Sequence, residues 1–437
     1  MADVIFDLVR KEEQRLKEKI GLIPSENHTS DDVYRVLSSC LSSKYSEGYP
    51  GRRYYEGSQI IDEIERLAQD RVKSLFGVPY VNVQPYSGSP ANLAVWFALM
   101  NPGDTLMGLK LSCGGHLTHG HPDVSGSGAY YKSVQYGLDD NARIDFDALR
   151  KLAKKHKPKV IVAGTTAYPF ELNFKKFRAI ADEVGAWLVA DISHITGLVI
   201  GEQHMSPVPY VDVVTTTTHK TFRGPRGAMI LVTERGLKKD ADLGKKIDSA
   251  IIPGLQGGPH NATTASIAIA AKEASTAKFK QYAKQIRLNA DALADALKRE
   301  GLTLVGNGTD NHLILVDLTP QGAGLGYQVA YAMDVAGMYA NRNTIPNEPV
   351  SPFYPSGLRL GTPLVTTRGM KIREMKRIAK WIAQVVDYCK EYQLPSERSE
   401  RIPFMREFKK KMAKDTFLLG IAEEVKKMAV EFPLFKE

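Results

Sequence analysis

The sequence is poor in cysteine, in long apolar runs and in repetitive segments, and each shortage removes a class of protein. Its three cysteines in 437 residues, Cys40, Cys113 and Cys389, are widely spaced and form no CxxC pair. That pattern argues against a disulfide framework or a zinc site, leaves no metal ligand set, and predicts buried thiols in a reducing cytoplasm. No stretch reaches the roughly 18 consecutive apolar residues that a bilayer span needs. The opening Met1-Ala2-Asp3-Val4-Ile5-Phe6-Asp7 lacks the basic and apolar regions of a secretory signal, and Asp3, Asp7, Glu12 and Glu13 argue against a transit peptide. Neither low-complexity segments nor internal repeats are found.

What is present is ordinary globular composition, 43% hydrophobic and 24% charged. The length predicts two or three domains with a large core. A net charge of +9 raises the possibility of a nucleic-acid binder. No RNP, zinc-finger or basic-zipper pattern accompanies it. Much of the excess lies in amphipathic stretches such as Lys409-Lys410-Lys411-Met412-Ala413-Lys414, so a solvated basic face, or a rim drawing a polyanionic substrate, is expected.

Residues 2–20 read as a charged amphipathic helix stopped by Gly21, either packed on the core or reaching a partner subunit. Residues 23–58 are dense in Ser, Tyr, Gly and Pro and predict loops and short helices of the kind that carry sites. Predicted strands are Tyr80–Val83, Thr105–Gly108, Val160–Ala163, Trp187–Ala190, Val211–Val214 and Ala228–Val232, with helices between them at 90–100 and 172–184. That alternation predicts an α/β fold with a mostly parallel sheet. A long helical pattern over 262–299 leads to a smaller α+β region with a strand at His312–Val316 and helices near 325–336 and 369–390. Glu391–Pro403 reads as a polar loop before a final amphipathic helix. The expected division is an arm at 1–28, a large domain at 29–272 and a small C-terminal domain at 273–437.

Four features carry chemistry. Lys220 follows the apolar run Val211–Val214 and four threonines, Thr215 to Thr218, so it emerges at a sheet edge, where a lysine of lowered pKa can form an imine with an aldehyde cofactor. Ser87-Gly88-Ser89-Pro90 lies between a strand and a helix, where exposed N–H groups and the helix dipole favour an anion. Asp191 ends the strand Trp187–Ala190 and can pair with a protonated pyridine nitrogen. Arg359, in Gly357-Leu358-Arg359-Leu360-Gly361, suits bidentate capture of a carboxylate. Singly, each is matched by a structural reading: a solvated lysine, a helix cap, a buried acid, an ion pair. Jointly they describe an amino-acid-handling pyridoxal-phosphate site.

With these residues in place the sequence closely resembles the serine hydroxymethyltransferase family. The resemblance runs through Ser25-Glu26-Asn27, Lys44 to Tyr55, Asn82 to Ser89, Gly114 to Gly120, Asp191-Ile192-Ser193-His194, Val213 to Gly227, Gln256-Gly257-Gly258-Pro259 and Arg359 to Pro363. It implies the pyridoxal-phosphate fold type I of aspartate aminotransferase relatives, with a seven-stranded type of sheet, and a homodimer or dimer of dimers with shared sites. It further implies that Lys220 holds the cofactor as a Schiff base, that His116 stacks on its ring, and that Asp191 binds the ring nitrogen. His194 would lie near the phenolic oxygen, and Thr166, also at the cofactor, stands where the family usually has serine. Ser87, Gly88, Ser89 and His219 would hold the phosphate, helped by Tyr45 and Gly258 from the neighbouring subunit, and Thr217 would also contact the cofactor. Ser25 and Arg359 would bind the amino-acid carboxylate. Tyr54 and Tyr55 would position substrate and cover the site.

The resemblance also gives Glu47 a role. A carboxylate among Tyr45, Tyr49, Tyr54 and Tyr55 suits proton exchange with the substrate hydroxyl or the pterin. The pterin itself, tetrahydrofolate or a modified form, would lie over Leu111, Gly115, His116, Leu117, Asn343, Ser351, Pro352 and Phe353. Pro24, His28, Glu56 and Ala262 depart from the family's usual residues, and the stretch after 390 is longer than in many bacterial members. The implied reaction is reversible conversion of L-serine and tetrahydrofolate to glycine and 5,10-methylenetetrahydrofolate, supplying glycine and one-carbon units in the cytoplasm. The alternatives are a folate-independent aldolase acting on β-hydroxy amino acids and a non-catalytic RNA-binding protein.

Overall fold

A computed structural model describes residues 3–435 apart from residue 123, so the predicted helix start at Ala2 lies outside the described residues. The chain forms two compact units, one of Thr29–Lys284 and one of Met1–His28 with Gln285–Glu437.

In Thr29–Lys284 seven strands pair in the order Tyr80–Asn82, Ala228–Val232, Val213–Thr217, Trp187–Asp191, Val160–Gly164, Thr105–Leu109, Lys132–Tyr136. Ala228–Val232 is antiparallel to both neighbours, and every other pairing is parallel. The fold is α/β with a mixed, mostly parallel sheet. Four of the central strands are buried at every position, which explains their unbroken apolar or β-branched sequences.

Three sequence expectations shift. The strand expected at Val211–Val214 runs instead from Val213 to Thr217, so three of the threonines are strand residues. Threonine is β-branched and fits a strand. Here its polar groups are satisfied: Thr215 Oγ1 donates to Asn92 Oδ1 at 2.6 Å, and Thr217 N–H donates to Ser193 Oγ at 3.0 Å. The strand Lys132–Tyr136 was not expected, because its Lys, Ser and Gln weaken the apolar signal; it is an edge strand, where polar residues are tolerated. The single helix expected over 262–299 is two, Asn261–Ala274 and Ala277–Arg299. Between them the hydroxyls of Ser275 and Thr276 bond back to the carbonyls of Lys272 and Glu273, a local competition that interrupts the helix.

The other unit holds a four-stranded antiparallel sheet in the order Thr303–Leu304, Leu313–Asp317, Gly357–Gly361, Asn341–Asn343. Ile314, Val316, Leu358 and Leu360 join Ile378 and Ile382 of the helix Ile372–Cys389 in its core. The loop expected over Glu391–Pro403 is shorter, because a helix spans Arg398–Met412 and contains Pro403. Met405, Phe408 and Met412 recur on one side of that helix and are buried, which offsets the lost proline N–H. A last helix, Thr416–Glu431, buries Leu418, Ile421, Val425 and Met428. Of the three thiols expected to be buried, Cys389 is; Cys113 is half-buried and Cys40 is exposed, because it opens a short surface turn. Among the described residues no helix is long and apolar enough to cross a membrane.

Candidate active site

Ligands in parallel α/β sheets bind beyond the carboxyl ends of the strands. Asp191 sits at such an end, in register with Gly164 on one side and Thr215 on the other. Its side chain is buried, with Oδ2 accepting from Asn92 Nδ2 at 2.8 Å and lying 3.0 Å from His119 Nε2. Oδ1 accepts from Ser193 N–H at 3.0 Å. The His116 backbone N–H donates to His119 Nδ1, so the proton of that imidazole is on Nε2 and points at Asp191. Burial by itself would raise the Asp191 carboxyl, but these three donors together outweigh it and hold the group far below the usual carboxylate range. A fixed anion at a strand end can keep a ring nitrogen protonated.

Asn92 joins this anion to a second histidine. Its Nδ2 also donates to Thr118 Oγ1 at 2.9 Å, and Thr118 Oγ1 lies 2.7 Å from His116 Nδ1. Burial pushes the His116 imidazole down to about 4, so near neutral pH it is an uncharged flat ring suited to stacking.

The strand Val213–Thr217 delivers Thr218, His219 and Lys220 at its carboxyl end. Immediately after it, Arg223 N–H donates to Lys220 O and Gly224 N–H to Thr218 O, with Arg223 in the left-handed region at φ 64°. That sparsely populated conformation is held because Thr29 Oγ1 bonds the Arg223 carbonyl. The turn thereby fixes where Lys220 leaves the sheet. Burial, with the Lys220 charge next, pushes the His219 imidazole down to about 3. Its Nδ1 is buried without a hydrogen-bond partner.

The helix Gly88–Leu99 begins on the same side. Ser87 has extended backbone and its hydroxyl does not cap the helix, while Gly88 packs so closely on Thr217 that an added Cβ would lie 2.7 Å from Thr217 Cγ2. Pro90 has no N–H to leave unsatisfied in the first turn. The hydroxyls of Ser87 and Ser89 and the first amides are thus left to an anionic group. A buried, unpartnered Nδ1 on His219, an uncapped helix start and a charged Asp191 fit pyridoxal phosphate.

Tyr45, Glu47, Tyr55 and Gly258 form a second cluster. Glu47 N–H donates to Tyr55 Oη at 2.7 Å, and the Tyr45 ring lies against Gly258. A cavity of about 570 Å³ is lined there by Lys44, Tyr45, Glu47, Tyr86, Gly258 and His260. Tyr86 Oη donates to Gly258 O, and the Tyr86 ring stacks on His260 at 4.1 Å. Tyr54 is exposed. His194 is buried, with its carbonyl accepting from Thr221 Oγ1, and Thr166 Oγ1 donates to Gly115 O at 2.8 Å. Leu111 and Leu117 are exposed.

The remaining expected residues belong to the other unit. Arg359 lies mid-strand, Nη2 donating to Asn341 Oδ1 at 3.1 Å, and burial pulls its guanidinium down to about 10. Ser25 follows Pro24, which packs on Gly361, and Gly361 N–H donates to Leu22 O at 2.7 Å. The turn carrying Ser25 is therefore stitched to the end of the Arg359 strand. Asn343 Nδ2 donates to Thr344 O, and Ser351 pairs with Tyr354 around Pro352 and a highly exposed Phe353.

The matching of this chain to known proteins agrees with that chemistry. Residues 1–382 match the model of the family described as serine hydroxymethyltransferase. The chain belongs to the serine hydroxymethyltransferase family. It is 56% identical over 382 residues to the serine hydroxymethyltransferase of Acidothermus cellulolyticus, a match covering 87% of each chain. It is 57% identical over 382 residues to that of Sorangium cellulosum, covering 87% of this chain and 88% of the relative. Against that of Desulfotalea psychrophila identity is 50% over 398 residues, covering 91% and 92%. Members of the family are pyridoxal-phosphate-dependent transferases that use tetrahydrofolate.

Sequence reasoning passed over Asn92, His119 and Ser193. Two of them carried a signal: Asn92 is an amide inside an otherwise apolar helix, and His119 repeats His116 three residues on. Ser193 bonds through its backbone N–H and carried none.

Proposed function

We propose that this chain interconverts L-serine and glycine, passing the hydroxymethyl carbon to tetrahydrofolate, on a fold type I scaffold whose Lys220 holds pyridoxal phosphate. The charged, triply hydrogen-bonded Asp191 at the carboxyl end of its strand carries the reading most directly, because it suits a protonated pyridine nitrogen. When bound, the cofactor draws electrons from the substrate α-carbon and so stabilises a carbanion there. The hydroxyls of Ser87 and Ser89, the first helix amides and His219 Nδ1 bind the phosphate. His116, kept neutral by burial, would stack on the cofactor ring, and His194, Thr166 and Thr217 would help to hold the cofactor. Ser25 and Arg359 bind the amino-acid carboxylate. Glu47 exchanges a proton with the substrate hydroxyl, with Tyr55 fixing the Glu47 backbone and Tyr54 covering the site. Leu111, Gly115, Leu117, Asn343, Ser351, Pro352 and Phe353 contact the pterin. The working unit is a cytoplasmic homodimer in which Tyr45 and Gly258 serve the partner's phosphate site.

A one-carbon transfer assay with and without tetrahydrofolate tests the activity. Serine cleavage equally fast without the pterin would overturn it in favour of an aldolase. Lys220→Ala is expected to abolish the visible absorbance of the cofactor-loaded protein. Sedimentation of the loaded protein as a monomer would overturn the dimer.

A further inference from the structure

The chain continues beyond residue 382, where the family match ends, and this continuation meets the turn that carries Ser25. The helix Thr416–Glu431 packs against the helix Val4–Glu18. Where both helices end, the buried guanidinium of Arg368 gathers their carbonyls. It donates to Leu16 O, Lys17 O and Lys19 O from the first helix and its exit, and to Ala429 O and Phe432 O from the last. Three residues past Phe432, the Phe435 ring stands edge-on to the His28 ring, centroids 4.8 Å apart at 87°. Lys17 Nζ lies 6.0 Å over the same Phe435 ring.

His28 closes the segment Ser25-Glu26-Asn27-His28. Asn27 Oδ1 accepts from the His28 N–H at 2.9 Å and from Thr367 Oγ1 at 2.7 Å, and Thr367 is the neighbour of Arg368. Pro24 and Gly361 anchor the front of this turn; Thr367 and Phe435 hold its back. The ring partner of His28 lies beyond the family match.

We infer that the segment beyond residue 382 is an internal brace for the Ser25–His28 turn, and that Phe435 is a positioning residue for capture of the amino-acid carboxylate by Ser25. This rests on the reading of Ser25 and Arg359 as carboxylate ligands. An edge-to-face ring pair is strong enough to change the population of a correctly set turn by about twofold to tenfold. That effect falls on binding of serine rather than on steps after it.

The test uses the full-length, cofactor-loaded enzyme with Phe435→Ala, His28→Ala, the double variant, Phe435→Tyr and Ser25→Ala. Phe435→Ala is expected to raise the serine KM about twofold to tenfold with kcat within twofold of the parent, and Phe435→Tyr to restore it. His28→Ala should have the same effect, and the double variant should be no worse than either single one. An unchanged KM in Phe435→Ala, or kcat falling in parallel with stability, overturns the brace. Should Ser25→Ala leave KM unchanged, the carboxylate reading of Ser25 fails instead, and a rise in KM for Ser25→Ala alone confines the failure to Phe435.

Discussion

His119 Nε2 lies 3.0 Å from Asp191 Oδ2, and neither side chain reaches solvent to any useful extent. The imidazole is oriented from behind by the His116 backbone, so it acts as a fixed donor rather than a rotating one. A hydrogen bond to a charged group contributes about 1.5–3 kcal/mol.

His119→Ala is therefore expected to lower kcat about 10- to 100-fold and to weaken cofactor retention, while His119→Asn, which keeps a donor, loses less. Steady-state kinetics together with absorbance of the bound cofactor check this. Equal losses in the two variants would show that ring packing, not the donor, is what Asp191 needs.

Burial pushes the His116 imidazole down to about 4 in the fold, from an ordinary value of 6.5. Its folded pKa is depressed, so the unfolded chain binds the extra proton and stability rises with pH. The contribution is complete above 6.5 and is lost as pH falls toward 4. Thermal unfolding of cofactor-free protein should show His116→Gln to be less sensitive to pH across that window than the parent. A parallel pair of curves would contradict it.

Arg53 is buried and donates to Asp62, to Glu65, and to the carbonyls of Ser46 and Gly48 on either side of Glu47. Arg53→Ala leaves Glu65, itself fully buried, without its cation. Breaking such a pair costs about 3–5 kcal/mol. Denaturant unfolding should show that loss, and a Glu65→Gln change made together with Arg53→Ala should recover part of it.

An added Cβ at Gly164 would lie 2.7 Å from Asp191 Cβ and 3.0 Å from His119 Cε1. Gly164→Ala is expected to destabilise by about 1–3 kcal/mol through overpacking, and to displace the Asp191 carboxylate. The paired readouts are the unfolding midpoint and the cofactor dissociation constant. A change in the first with none in the second would mean that the displacement is absorbed elsewhere.

Much of the sheet was legible, and the reasons for the exceptions are local. Ala228–Val232 is an uninterrupted apolar run and was placed to the residue. Thr215 to Thr217 read as polar because only the fold supplies Asn92, Thr196 and Ser193 as partners for their polar groups. Lys132–Tyr136 became a strand because Thr105–Leu109 lies beside it to complete its ladder.

By itself the sequence pointed to the chemistry, since a lysine after a strand, a carboxylate at a strand end, a hydroxyl-rich helix start and an arginine between apolar residues are properties of residue type and order. It also determined that a parallel sheet would collect the ends of those strands. Only the tertiary structure decided what keeps Asp191 charged, because Asn92, His119 and Ser193 converge on it from three separate places in the chain. The same holds at Ser25, whose turn is held by Gly361 and Thr367 more than 300 positions away in sequence. Bonds of that reach depend on how segments pack, and local pattern carries no record of it.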